Sequence, residues 1–320
     1  MRGMNDSLEK IREIISAHQN IVLCGHLNPD GDAIGASLAL ASALEKAGKQ
    51  VQVLLEPYAK KYDVIPNGYL IVSKEAVAEV ELFIALDCGD MGRLKGIEDV
   101  FQRARCTMVI DHHASNSFFG EYNYVEETAS STSEIVFKLL QGYLPMDAEI
   151  AAALYAGIIY DTAGFRHTST TPYTMQAAGE LMGYGIPYNK IYKTLFDSRT
   201  FSELKLMGRA LEHGESHFDG KLIYSFITME DILECKGTNK ELDAIINYLN
   251  GVNDTKIACF LYEKNEQDIK ASFRGNDDCN VCALAQKFGG GGHVKAAGCT
   301  ISAPLAKAKE LIFAEIEKML

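Results

Sequence analysis

No stretch of this 320-residue chain approaches the roughly 20 consecutive apolar residues that a membrane span requires, so no membrane partner is expected. Residues Met1 to Lys10 are polar and lack the apolar core of a secretory signal, which points to a cytoplasmic protein. Lys and Arg number 31 against 43 Asp and Glu, a formal charge of −12, and no Lys/Arg-rich tract exists. Long nucleic acids are held by basic surfaces, so any nucleic-acid substrate should be short and gripped locally. The glycine patterns G-x-G-x-x-G and G-x-x-x-x-G-K-[ST] are both missing, which excludes a dinucleotide fingerprint and a P-loop. Only one close cysteine pair occurs, Cys279-x-x-Cys282; a zinc site would need a second, so Cys282 reads as a helix core residue. The other cysteines are scattered in apolar runs, as at Cys24, Cys106 and Cys259, which suits a reduced protein rather than a disulfide scaffold. No Ser-His-Asp or Cys-His set stands out, and there are no internal repeats or low-complexity segments.

What is present starts with Val22-Leu23-Cys24-Gly25-His26-Leu27-Asn28-Pro29-Asp30-Gly31-Asp32-Ala33. An apolar, β-prone run from Ile21 breaks at Gly25, Pro29 and Gly31 keep the next residues irregular, and a small-residue helix runs from Ala33 to Ala47. One His and two Asp therefore sit where a strand gives way to a helix, the usual ligand crevice of an open α/β sheet. Asn-Pro-Asp-Gly-Asp is also good turn chemistry, and Asp before a helix is a good N-cap. The balance shifts because the pattern repeats. Leu82 to Leu86 is a continuous apolar run typical of a buried parallel strand, and it ends in Asp87-Cys88-Gly89-Asp90. Thr107 to Ile110 is another, and it ends in Asp111-His112-His113. Asp147 to Tyr160 reads as a helix buried all round, with Asp161 charged directly after it, a costly placement unless paired or bound to a cation. A His-and-carboxylate set of this kind suits a hard or borderline divalent cation better than a thiolate-bound zinc.

Around these landmarks, Ser7 to Gln19 reads as an amphipathic helix, Val51 to Leu55 as a strand, Glu75 to Val80 as a helical turn and Ile97 to Arg103 as a short helix. Ala129 to Glu134 opens a helix reaching Leu140; its hydroxyls read first as caps and second as a phosphate cradle. Thr174 to Gly183 is a further helix. With 47% hydrophobic and 23% charged residues, the length fits about two domains. We place a catalytic domain at 1–186, a helical linker at 187–212 and a second domain at 213–320. In the latter, Leu222 to Ile227, Ala258 to Tyr262 and Lys270 to Phe273 read as strands, and Lys240 to Leu249, Asn280 to Phe288 and Leu305 to Leu320 as helices. Four glycines, Gly289 to Gly292, precede His293 and let a backbone approach an anion closely.

These residues together resemble the DHH phosphoesterase superfamily in its DHH plus DHHA1 form. The resemblance rests on His26-x-Asn28-Pro29-Asp30-x-Asp32-Ala33, Asp87, Asp111-His112-His113, Asp161-Thr162 and Gly289-Gly290-Gly291-Gly292-His293-x-x-Ala296-Ala297-Gly298, in order along nearly the whole chain. Length and layout resemble the branch that degrades very short RNA and 3′-phosphoadenosine 5′-phosphate (pAp). The resemblance implies an α/β protein: a parallel-sheet domain with helices on both faces, then a smaller α/β domain with a mixed sheet. It implies two divalent cations, usually Mn2+, with Mg2+ or Co2+ as substitutes. His26, Asp30 and Asp87 would hold one; Asp32, Asp87, His112 and Asp161 would hold the other. His113 would face the scissile phosphate with Asp111 supporting it, so His113, Asp87 and Asp111 form the implied catalytic set. Arg274, Gly290, Gly291, Gly292 and His293 would contact substrate. Two departures stand out: Gly275-Asn276 follows Arg274 where a Ser and a basic residue are expected, and Asp161-Thr162-Ala163-Gly164-Phe165 reads as one small residue displaced.

Such chemistry needs these residue types. A phosphodiester is anionic and repels a nucleophile; two close cations neutralise its oxygens and lower the pKa of water, so no protein nucleophile is required. A carboxylate such as Asp87 can reach two cations at once. Expected substrates are short RNA or DNA oligonucleotides or nucleotide bisphosphates. A cyclic or linear dinucleotide diesterase or a polyphosphatase on the same scaffold is the alternative, and a non-enzymatic nucleotide sensor a third. An apolar helix face could support a homodimer.

Overall fold

The structure is a computed structural model and describes residues 5–320; the first four residues of the polar amino-terminal stretch lie outside the described residues. The chain divides into two compact units, the first ending at Ser198 and the second running from Arg199 to Leu320.

In the first unit, α1 (Leu8–Ala17), β1 (Asn20–Cys24), α2 (Gly31–Lys46) and β2 (Gln50–Leu54) are followed by β3 (Leu82–Leu86), α3 (Glu98–Arg103), β4 (Cys106–Asp111) and β5 (Tyr122–Val125). Helices α4 (Thr132–Leu140), α5 (Ala148–Asp161), α6 (Pro172–Met182) and α7 (Tyr188–Tyr192) close it. The sheet is parallel throughout, in the order β2-β1-β3-β4-β5. Period-two alternation sends Leu23, Ile84 and Met108 to one face, against α2, α4 and α5. It sends Val22, Phe83 and Val109 to the other, against Val100 and Phe101 of α3. Helices thus cover both faces, one far more thickly than the other.

Helix α2 is buried without interruption from Gly31 to Leu44. It lies so close to α5 that a Cβ at Gly35 would sit 2.5 Å from the Ala153 carbonyl, and one at Gly31 would strike the Tyr160 ring. The helix starts two residues before the predicted Ala33, because Asp30 caps it by accepting from the Asp32 and Ala33 amides. The turn predicted at Glu75–Val80 is a single 3-10 turn, Lys74–Ala76.

In the second unit, α8 (Phe201–Glu212), β6 (Glu215–His217), β7 (Leu222–Ile227), α9 (Met229–Glu234) and α10 (Ile245–Asn250) precede β8 (Ile257–Glu263) and β9 (Asp268–Gly275). Then come α11 (Val281–Gln286), β10 (Gly291–His293), β11 (Ala296–Ser302) and α12 (Leu305–Glu317). The sheet order is β10-β11-β9-β8-β7-β6, with only β7 and β8 parallel, so it is mixed as expected. The helix predicted over Lys240–Leu249 is instead a 3-10 turn at Asn239–Glu241 and a separate α10. Cys282 is not a core residue: it is half-exposed, and its thiol donates to the Gly292 carbonyl at 3.0 Å. No described helix is long and apolar enough to cross a membrane.

Candidate metal centre

Strands β1, β3 and β4 are neighbours in the sheet and point the same way, so their carboxyl ends deliver His26, Asp87 and Asp111-His112-His113 to one place. The sheet order reverses between β1 and β3, which opens the crevice. The first turn of α2 adds Asp30 and Asp32, and the last residue of α5 adds Asp161. His26 Nε2 lies 3.5 Å from Asp87 Oδ2 and 3.7 Å from Asp30 Oδ1. His112 Nε2 lies 3.6 Å from Asp87 Oδ1 and 3.4 Å from Asp161 Oδ2. Two sets of ligand-capable atoms, His26/Asp30/Asp87 and Asp32/His112/Asp161, each fall within 4.8 Å of one another; Asp87, His112 and His113 form a third.

The imidazoles are aimed before any ion arrives. His26 Nδ1 donates to the Leu27 carbonyl at 2.9 Å and His112 Nδ1 to the Ala129 carbonyl at 3.4 Å. Because a carbonyl only accepts, Nδ1 carries the proton in each ring and the Nε2 lone pair faces the carboxylates. His113 differs. Its Nδ1 donates to Asp111 Oδ1 at 2.7 Å, so that nitrogen is taken, and its half-exposed ring leaves Nε2 for another partner.

The carboxylates of this cluster face imidazoles and one another: Asp87 lies at ion-pairing distance from His26, His112 and His113, and Asp161 from His112. Burial, then repulsion from Asp32, Asp30, Asp111 and Asp161, pushes the Asp87 carboxyl well above its ordinary value. Burial likewise raises Asp32, and burial with Asp32 and Asp30 beside it pushes Asp161 up to about 8. Burial also acts against Asp30 and Asp111, but there hydrogen bonds win: His26 and two amides hold Asp30 down, and His113 and Asn116 hold Asp111 down. Asp87 also has φ +59°, a left-handed conformation that costs of order 1–3 kcal/mol for a non-glycine residue. Buried, mutually repelling carboxylates beside two pre-aimed imidazoles are a donor set that fits divalent cations.

In the second unit, the ladder places Arg274 of β9 opposite Ala296 of β11, and Ala296 opposite His293 of β10. Directly opposed residues share a face, so Arg274 and His293 flank Ala296 in one row. Arg274 is half-buried, and that burial lowers its pKa. Gly289 lies at φ +72° in the turn after α11, whereas Gly291 and Gly292 are strand residues. At Gly292, φ +144°, a Cβ would sit 2.5 Å from the Ala296 carbonyl. Strand β10 is a sheet edge, which leaves a row of amides outside the ladder. The departure after Arg274 has a structural reason: a Cβ at Gly275 would lie 2.7 Å from the Cys279 carbonyl, and Asn276 Nδ2 donates to the Thr255 carbonyl.

A family model described as DHH family, N-terminal domain, matches residues 20–158, and one described as DHHA1 domain matches residues 219–320. The "Bifunctional oligoribonuclease and PAP phosphatase NrnA" of Thermus thermophilus is 30% identical over 311 residues, covering 92% of this chain and 89% of that protein. The chain belongs to the DHH–DHHA1 family. A protein of the same name from Bacillus subtilis is 27% identical, with 90% of this chain and 91% of that one covered. A solved "exopolyphosphatase-related protein" from Bacteroides fragilis superposes on the DHH–DHHA1 chain with a TM-score of 0.85 and 26% identity, over 97% and 95% of the two chains.

Three contributors to the DHH site escaped the sequence reading. Asn116 Nδ2 donates to Asp111 Oδ2 at 2.6 Å and to the Cys88 carbonyl at 3.1 Å, tying the two strand ends together. The first amides of α4, Thr132 N and Ser133 N, donate to Asp32 at 2.7 and 2.9 Å. Those amides are therefore committed to a carboxylate, and the phosphate-cradle alternative for Ala129–Glu134 falls away; Ser131 caps the helix through the Glu134 amide, as first read. Asn116 carries no local signal beyond lying five residues after Asp111, and the α4 amides are invisible without the fold.

Proposed function

We propose that this chain is a phosphoesterase that uses two divalent cations, Mn2+ first among them, to hydrolyse short oligoribonucleotides to mononucleotides and pAp to AMP. The observation that carries the reading is the buried, mutually repelling acidic cluster at the ends of β1, β3 and β4, with His26 and His112 presenting Nε2 to it. The oligoribonuclease and PAP phosphatase named among the relatives supports the substrate class. His26, Asp30 and Asp87 would hold one cation, and Asp32, Asp87, His112 and Asp161 would hold the other. When bound, the pair neutralises the phosphate oxygens and activates water for attack on phosphorus.

The protein's own part is positioning and proton placement. Asp111 orients His113 and raises its pKa, so the ring keeps a proton on Nε2 to donate to a phosphate oxygen or to the leaving group. Arg274, His293 and the Gly290, Gly291 and Gly292 backbone receive a phosphate or terminal nucleotide in the DHHA1 unit. A fully ionised Arg fork suits that task. The eight free cysteines fit work in a reducing cytoplasm.

The test is turnover of an RNA dinucleotide and of pAp with Mn2+ added and then chelated, by wild type and by Asp87→Ala. Wild type should cleave both only with metal, and the variant neither. Retained activity in Asp87→Ala would refute the reading.

A further inference from the structure

A second feature of the DHH unit opens beside the acidic cluster and meets it at one residue. It is a cavity of about 150 Å³ that shares His26 with the metal centre and is walled by Leu55, Val72, Leu94 and Ile97. Apolar cavities on this scale accept one flat six-membered ring. Its rim carries Arg93 and Lys95, whose side chains form no hydrogen bond or ion pair among the described residues. The two other charged groups of the lining, Lys74 and Glu56, are already occupied. Lys74 binds the Gly96 carbonyl at 2.9 Å and Asp99, and Glu56 accepts from the Asn28 amide at 2.8 Å. The Arg93 carbonyl accepts from the Leu27 amide at 2.9 Å, so the backbone of the cationic rim is braced directly against the loop that carries His26.

An apolar slot with two uncommitted cations at its mouth matches an aromatic ring joined to an anion. On a chain of net charge −12, such a pair of cations favours a phosphorylated ligand over a neutral aromatic one. We propose that this cavity is a nucleoside subsite: a substrate base enters between Leu55, Val72, Leu94 and Ile97 while Arg93 and Lys95 contact its phosphate. The inference rests on the phosphoesterase reading above and assigns it one base-binding position within the DHH unit. It predicts a preference for nucleotides over bare phosphate chains, which have no ring to bury.

Binding rather than turnover tests it. The full-length protein is titrated in Mg2+ with a phosphorothioate-linked dinucleotide carrying 2-aminopurine, followed by fluorescence. Ser73, exposed on the rim and making no side-chain cap, is replaced by Phe to block the slot from outside the core. Ser73→Phe and the double change Arg93→Ala/Lys95→Ala should each weaken binding about tenfold or more, with unfolding temperatures unchanged. A dinucleotide lacking one of its bases should lose a similar factor with wild type, and Ser73→Phe should then add nothing. Wild-type affinity in both variants, or no saturable binding by wild type, would overturn the subsite. Because hydrolysis is not the readout, an inactive wild type would strike the phosphoesterase reading while the titration still judged the cavity.

Discussion

Replacing Asp161 by Asn is expected to make the metal-free protein more stable while weakening its response to divalent ions. Asp161 ends α5 beside Asp32 and Asp30, and burial with their repulsion raises its pKa from 3.8 to about 8. Between those values the folded chain keeps a proton that the unfolded chain has released. Stability of the metal-free protein therefore falls as pH rises through that window and levels off above about 8. Each unit is worth about 1.36 kcal/mol, so moving from pH 6 to pH 8 removes at most about 2.7 kcal/mol. The side chain is 30% exposed, and solvent screening brings the expected loss to about 1–2 kcal/mol. For a unit of this size that is about 2–8 °C in unfolding temperature. Thermal unfolding in chelator at the two pH values should show this fall in wild type and a smaller one in Asp161→Asn, which should be the more stable protein at pH 8. Excess Mg2+ or Mn2+ should raise wild type strongly and the variant little. Equal pH dependence of the two proteins, or a less stable variant at pH 8 in chelator, would refute the account of the cluster as buried, mutually repelling carboxylates.

Other consequences concern how the cluster is held. Asp111→Asn removes the partner that raises the His113 pKa, so the protonated ring should be lost at lower pH. The alkaline limb of the kcat–pH profile for a dinucleotide should move to lower pH, and an unmoved limb would argue against His113 as proton donor. Gly157→Ala puts a methyl group against the Ser133 side chain and 2.8 Å from Asp32 Oδ1. It should destabilise by about 1–3 kcal/mol and weaken metal binding in calorimetry, since Asp32 must shift to admit it.

The candidate metal centre was legible because its residues announce themselves at the ends of apolar runs. His26, Asp87 and Asp111-His112-His113 each follow a buried strand, and a sequence places strand ends well even when it cannot say which strands are neighbours. At Asp30 the two competing readings turn out to be compatible: one carboxylate oxygen caps α2 while the residue faces His26. What stayed hidden depends on contacts distant in sequence. Strand β5 is only four residues long and is recruited by β4 and by Asn5 and Asp6, whose side chains meet its backbone. Strand β11 begins Ala296-Ala297-Gly298, with none of the β-branched character that marks a strand, and exists because β9 supplies a seven-residue ladder. The continuous helix expected over Lys240–Leu249 fails because Thr238 caps a short turn with Glu241, after which the chain restarts at Ile245.

The Nδ1–carbonyl bonds of His26 and His112 bear on how quickly the enzyme can be armed. Rings already locked in a receiving orientation would need no rearrangement when an ion diffuses into the proposed centre, so loading would be paced by the shedding of water from the ion itself. An ion that dehydrates quickly would then arrive first, while the ion that stays would be decided by affinity and supply.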